Sequence, residues 1–181
     1  LGDAKKDVTI YSYVHVPDYL RYIKGADRIT DEFPANFDLT IIVDTVTASL
    51  LENTLKNEKL AAIKKHPVLV LDHHPTENNL PLPDAEFYGG ENNPVSTGEI
   101  VYTLALQQGW SISPEAATHI VESMLADTLG LTTEAVTGDN VQVVAECLKL
   151  GASMADIDRR RREFMKKSAE IVSYKGALLQ R

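Results

Sequence analysis

The chain has 181 residues, 44% of them hydrophobic, which suits one domain or one domain with a short extension and excludes global disorder. Its formal net charge of −8 disfavours proteins that hold long nucleic acid by neutralising phosphates. Binding of a small phosphorylated substrate is not excluded, because bound cations can outweigh the negative charge of the protein around a site. No apolar run approaches the roughly 20 residues that span a bilayer. The single cysteine, Cys147, excludes an internal disulfide framework. We therefore expect a cytoplasmic protein without a membrane partner, with Cys147 as a core residue.

Short, β-branched apolar runs in the first half of the chain predict parallel strands that are covered on both faces. They are Asp7–Tyr13, Asp38–Asp44 and Pro67–Asp72, and a fourth short strand is predicted at Ala85–Tyr88. The stretch Thr47–Lys64 between two of them can form a helix. Strand, helix and strand at this spacing predict an α/β fold with a Rossmann-like, mostly parallel sheet flanked by helices.

The second half of the chain carries helix signals: serine or threonine at the starts, and glycine at some of the ends. Ser96 and Glu99 fit a capping box, in which Glu99 reaches back to the backbone of Ser96. The predicted helices run from Ser96 to Gly109, from Ser113 to Leu125, from Thr137 to Gly151, and from Ala155 onwards. In the last helix, the run Arg159–Arg162 is interpreted as a solvent-exposed face, with a basic rim for substrate phosphates as the alternative.

Acidic residues end two of the predicted strands. Asp44 closes one apolar run and Asp72 closes another, and Asp72 is followed at once by His73 and His74. The carboxyl ends of parallel strands form the ligand crevice of an open sheet, so we expect these side chains at one edge. Two adjacent imidazoles there are harder to explain by packing than a single turn acid.

A third acid, Asp127, ends an apolar helical stretch, where the helix dipole disfavours a negative charge. Taken alone, Asp44 could be an ordinary strand-end acid, and His73 with His74 could be a hydrogen-bonded loop pair. Jointly with Asp127 each would need a separate explanation. Carboxylates with imidazoles suit borderline divalent cations such as manganese, cobalt or zinc, so the pattern predicts a metal site.

Four segments, in order along the chain, resemble the motifs of the DHH phosphoesterase family. They are Ile42-Val43-Asp44-Thr45, Leu71-Asp72-His73-His74-Pro75-Thr76, Ser96-Thr97-Gly98-Glu99 and Leu125-Ala126-Asp127-Thr128. The resemblance extends over nearly the whole chain. It is strongest to the branch of nanoRNases and 3′-phosphoadenosine phosphatases, and RecJ-type exonucleases have similar motifs.

This resemblance implies a phosphodiesterase or phosphatase that hydrolyses short oligonucleotides or nucleotide phosphates with a water activated by two metal ions. Mn²⁺ is the expected ion, with Mg²⁺ or Co²⁺ as alternatives. Asp44 resembles the carboxylate that bridges both ions, and His73 and Asp127 resemble ligands of the second ion. His74 resembles the catalytic residue that contacts the scissile phosphate of the substrate and stabilises its charge. Asp72 resembles the acid that orients an imidazole through its free N–H.

One motif of the family has no counterpart in these residues: a histidine followed by Asp-x-Asp. Neither Asp3, before the first predicted strand, nor His15, after it, fits that motif. We expect it upstream of Leu1, and we expect the 181-residue chain to bind metal weakly and hydrolyse little. Residues 1–154 are accordingly interpreted as a catalytic core lacking its first motif, and residues 155–181 as a helical linker toward a substrate-binding domain.

Other functions stay open on the sequence. The first alternative is a degenerate module that binds a nucleotide or metal without cleaving. The second is a cyclic-dinucleotide phosphodiesterase or an inorganic pyrophosphatase, which share the motifs. Among partners we expect a short nucleotide or oligonucleotide and no long duplex nucleic acid, and a homodimer stays open.

Overall fold

The strands of the described chain all lie in its first half, and its four longest helices lie in the second half. The structure is a computed structural model that describes residues 6–45, 51–52, 54, 56–74, 82, 84–90 and 93–164. Its order of elements confirms the predicted α/β fold, with parallel sheets flanked by helices and a helical C-terminal half. Among the described helices, none is long and apolar enough to cross a bilayer.

The larger sheet has three parallel strands: β3 (Thr40–Val43), β4 (Val68–Leu71) and β5 (Glu86–Tyr88), with β4 in the centre. Each lies inside a predicted apolar run. Helix α1 (Asn57–Ile63) connects β3 to β4 and falls within the predicted helix 47–64, of which residues 47–50, 53 and 55 lie outside the described chain. The central strand is the most buried, because both of its edges are paired.

A separate two-stranded parallel sheet precedes it, formed by β1 (Ile10–Tyr11) and β2 (Ile29–Thr30). The sequence predicted β1, at greater length, and missed β2, whose two residues are too few to show a pattern. The prediction that all strands are covered on both faces was wrong: Ile10 is 41% exposed and Val43 is 55% exposed. Among the described strands, β1 and β3 each have one paired edge, which leaves part of their apolar surface in the open.

Helices α2 (Thr97–Gln107), α3 (Pro114–Asp127) and α4 (Gly138–Lys149) pack together and enclose the main core. Tyr102, Val121, Met124, Val144 and Cys147 lie at its centre. Cys147 is buried, as predicted for a core residue, and burial raises the pKa of its thiol to about 11.

Only half of the predicted capping box forms at the start of α2. The Ser96 hydroxyl accepts a hydrogen bond from the Glu99 N–H at 3.2 Å, as expected. The Glu99 carboxylate accepts one from the Val95 N–H at 2.8 Å, one residue before the expected partner. The amide of Asn140, near the start of α4, donates to the same carboxylate at 2.9 Å. This buried carboxylate therefore joins the starts of α2 and α4.

Helix α5 (Met154–Phe164) carries the arginine run and confirms the polar helix predicted from Ala155, while residues 165–181 lie outside the described chain. Arg159, Arg161 and Arg162 are exposed and pair with acids of the same helix. Arg160 is buried, and its guanidinium donates to Glu122 of α3 at 2.9 Å. The exposed-face interpretation was thus wrong for this one arginine, because the helix turns it towards α3.

Candidate metal centre

The carboxyl ends of β3 and β4 place the first candidate residues side by side. Val43 is opposite Leu71 in the parallel register, so Asp44 and Asp72 each follow the last paired residue of their strand. The Asp44 N–H donates to the Leu71 carbonyl at 2.9 Å, which extends the ladder by one residue. The sheet thus fixes the backbone from which both acids project.

Four side chains form a compact cluster at this edge: Asp44, Asp72, His73 and His74 each offer an atom, and these atoms lie within 4.8 Å of one another. His73 is central, with its Nε2 at 3.5 Å from Asp44 Oδ1. The same nitrogen lies 3.9 Å from Oδ2 of Asp127, the last residue of α3. The structure therefore brings together all five predicted site residues.

These separations suit side chains that share an ion. Two neighbouring ligand atoms about 2.1 Å from a cation are roughly 3.0 Å apart at an octahedral angle and roughly 3.4 Å apart at a tetrahedral angle. The observed 3.5 Å from His73 to Asp44 is close to the tetrahedral value, and the 3.9 Å from His73 to Asp127 is longer. Oxygen and imidazole nitrogen are ligands that borderline divalent cations accept. The buried Cys147 belongs to the helical core instead.

Asp44 has an unusual backbone. Its φ of 56° is left-handed, a conformation that costs a residue with a side chain roughly 1–3 kcal/mol and that aspartate tolerates better than most. Its Oδ1 accepts a hydrogen bond from the Thr97 hydroxyl at 2.9 Å. Thr97 was missed as a functional candidate, because the capping interpretation of its neighbours accounted for the segment. Its place in the Ser-Thr-Gly-Glu motif was the available signal.

Asp72 holds His74 in place. Its side chain is completely buried, and Oδ1 lies 2.7 Å from the Nδ1 atom of His74 and accepts the His74 backbone N–H at 2.9 Å. This pairing assigns the ring proton to Nδ1 and leaves Nε2 for another partner. Among the described residues, Asp72 Oδ2 is a buried side-chain oxygen that lacks a hydrogen-bond partner. A buried, incompletely paired carboxylate indicates a site where an additional positive charge is stabilising.

The environment of Asp127 shows that negative charge accumulates at this centre. Burial raises the pKa of its carboxyl, and the nearby negative charge of Asp44 raises it further, while His73 acts in the opposite direction. The carboxylates therefore repel one another at neutral pH, and a cation between them would relieve that repulsion. The donor set, the unpaired oxygen of Asp72 and this mutual repulsion all fit a divalent cation in this cluster.

The residues considered at the start of the chain do not join this cluster in the described part. His15 is exposed and lies 3.5 Å from Asp31. Asp3, like Pro75 and Thr76 of the third motif, lies outside the described residues.

No family model matches the chain, and no curated protein matches it. Among solved structures, the chain is similar to an exopolyphosphatase-related protein from Bacteroides fragilis, with a TM-score of 0.81 and 21% sequence identity. The match covers 99% of this chain and 53% of the other, so the chain spans about half the length of that protein. At this identity, the likeness establishes that the two chains share a fold.

Proposed function

We propose that this chain carries the core of a divalent-metal-dependent phosphoester hydrolase, acting on short oligonucleotides or nucleotide phosphates. The observation that carries the proposal is the convergence of Asp44, His73 and Asp127, which follow β3, follow β4 and end α3. Because the three come from separate elements, their meeting at one rim of the sheet is not a by-product of a single turn. The resemblance of the surrounding motifs to DHH phosphoesterases supports the reaction class.

Each residue has a role in this proposal. Asp44, His73 and Asp127 would hold the cation, with Mn²⁺ as the expected ion. When bound, a divalent cation supplies Lewis acidity to a phosphoryl oxygen and makes water a better nucleophile near neutral pH. Asp72 fixes the ring of His74 through its Nδ1–H, and His74, whose side chain is 56% exposed, would in its doubly protonated form also donate from Nε2 to a phosphate oxygen.

A second substrate class is favoured by a specific observation. The similar solved structure is described as exopolyphosphatase-related, and phosphoanhydride bonds are cleaved by the same kind of attack at phosphorus. Polyphosphate and pyrophosphate are therefore the competing substrates for the same centre.

Metal binding tests the centre directly. We expect Asp44→Asn and His73→Asn to weaken Mn²⁺ binding at least about tenfold in titration calorimetry. Even mutation of residues that only hydrogen-bond to a ligand typically lowers metal affinity by roughly 10–100-fold. Asp38→Asn is the matched control, because Asp38 is exposed and precedes the same strand at its opposite end. Identical isotherms for wild type and Asp44→Asn would remove the metal centre and with it the proposed hydrolase.

Substrate class is tested with enzyme in excess over substrate, because the sequence predicts slow turnover. A 5′-phosphorylated dinucleotide and a short polyphosphate are incubated with Mn²⁺, and the same reactions with EDTA are the controls. Metal-dependent release of mononucleotide supports the nucleotide substrate, and release of phosphate from polyphosphate alone supports the second candidate. Binding of Mn²⁺ with neither product would favour the non-catalytic module.

A further inference from the structure

The first turn of α2 is hydrogen-bonded both to Asp44 and to α3, the helix that ends at Asp127. On one side, the Thr97 hydroxyl donates to Asp44 Oδ1 at 2.9 Å. On the other, the Gly98 N–H donates to Ser123 Oγ of α3 at 3.2 Å. Ser123 is four residues before Asp127, so the two side chains lie on the same face of α3. Two consecutive residues thus connect the end of β3 to the helix that carries Asp127.

Buried hydrogen bonds of Ser96 and Glu99 fix the backbone of this turn. Ser96 caps it, and the carboxylate of Glu99 is hydrogen-bonded to the backbone of Val95 and to Asn140. All four of these residues are buried. A side chain projecting from such a turn has little freedom, which makes it a suitable fixed point for a neighbouring group.

The hydroxyl of Thr97 is not needed to cap the helix, since Ser96 performs that role. Thr97 is only 7% exposed, and its hydroxyl donates to Asp44, whose backbone is left-handed. An ionised carboxylate only accepts hydrogen bonds, so the direction of this bond is fixed by its chemistry. The accepting oxygen, Oδ1, is also the one that faces His73 Nε2.

We infer that Thr97 is a positioning residue for Asp44. By donating to Oδ1, its hydroxyl sets the plane of the carboxylate and presents the remaining lone pairs of this oxygen toward the cation position beside His73. This inference rests on the proposed function, because it assigns the hydrogen bond a role in metal binding.

The test uses the full chain and Mn²⁺ alone, with free Mn²⁺ counted by its electron paramagnetic resonance signal. Thr97→Val keeps the side-chain shape and removes the donor, and we expect it to weaken Mn²⁺ binding roughly 10–100-fold, as loss of a ligand's supporting hydrogen bond does. Thr97→Ser keeps the hydroxyl, and it should stay within about threefold of wild type. Thr103→Val is the matched control on the same helix, where the lost hydroxyl donates to the Glu99 carbonyl, at 3.1 Å, one turn earlier in the helix.

Melting of the metal-free variants separates positioning from a general loss of structure. Thr97→Val and Thr103→Val should melt at similar temperatures while only the former loses affinity. If Thr97→Val does not fold, Thr97→Ala repeats the comparison with a smaller side chain. The inference is overturned if wild type binds Mn²⁺, Asp44→Asn weakens that binding, and removing the Thr97 hydroxyl does not. If wild type binds no Mn²⁺, the metal centre itself and this inference fall together.

Discussion

Replacing Gly98 with alanine tests how closely α2 approaches α3 beside the candidate centre. A Cβ atom on Gly98 would lie 2.6 Å from Ser123 Cβ, 2.8 Å from its Oγ and 3.2 Å from the Ile120 carbonyl. Gly98 is the second residue of α2, and alanine is ordinarily better than glycine in a helix by about 1 kcal/mol. Overpacking a close contact costs about 1–3 kcal/mol, and backbone atoms of α3 cannot move as a flexible side chain can.

With a Cβ to Cβ distance of 2.6 Å, the cost should lie in the upper part of that range, about 2–3 kcal/mol, so the expected net effect of Gly98→Ala is a loss of about 1–2 kcal/mol in the free energy of unfolding. For a chain of this size, that corresponds to a fall of roughly 2–8 °C in melting temperature. Gly138→Ala is the matched control, since Gly138 opens α4 and a Cβ there would meet no atom within 4 Å. Without a clash, this alanine should raise the melting temperature by about 2–4 °C.

Thermal and urea unfolding compare the stabilities of Gly98→Ala and Gly138→Ala. Repeating Gly98→Ala in a Ser123→Gly background measures the coupling energy between positions 98 and 123. Removing Cβ and Oγ of Ser123 should recover about half or more of the cost of Gly98→Ala, a coupling within the range of about 0.5–3 kcal/mol seen for residues in contact. If Gly98→Ala is as stable as wild type while Gly138→Ala behaves as expected, the close approach of the two helices is refuted.

Three further results are expected. Arg160→Met should destabilise the fold by roughly 3–5 kcal/mol in urea unfolding, because it removes the arginine paired with Oε1 of the buried Glu122 and leaves His119 as the remaining side-chain partner of that carboxylate, whereas Arg161→Met at the surface should change stability by less than about 0.5 kcal/mol. Equal effects would contradict the inward placement of Arg160. Cys147 should resist iodoacetamide at pH 8 in the native protein and react in urea, since the pKa of its thiol is raised to about 11, and rapid native labelling would contradict that burial. The raised pKa of Asp127 means that the folded state holds this proton more tightly than the unfolded chain. That stabilisation is complete below the ordinary value of 3.8 and is lost as the pH rises through the folded pKa. Metal-free Asp127→Asn should therefore melt above wild type at pH 7, with the difference vanishing near pH 3, and an equal difference at both pH values would contradict this assignment.

The parts of the fold that the sequence revealed were those encoded by local patterns. Apolar runs ending in Asp44 and Asp72 predicted strands, and parallel pairing then required both acids to emerge at the same edge. The caps at Ser96 and Ser113 located the starts of α2 and α3 for the same reason, because a cap depends on residues next to it.

The features that the sequence did not reveal depend on packing between distant segments. Charge alone does not distinguish Arg160 from its three neighbouring arginines, and the packing of α5 against α3 decides which of them is buried. The bond from Thr97 to Asp44 was hidden in the same way, because it requires α2 to start beside the end of β3. The meeting of His73 with Asp127 was expected from the family resemblance, and periodicity alone could not have supplied it.

Two requirements restrict which residue can occupy position 44: the left-handed backbone and the negative charge of the side chain. Glycine and asparagine fit that conformation at low cost but carry no charge, and glutamate carries the charge but lacks the short side chain that tolerates it. Aspartate alone among the common residues answers both demands. The backbone of the turn after β3 therefore limits the choice of residue even without a bound cation. A glutamate there would lower the stability of the fold and would place its carboxylate differently from that of Asp44.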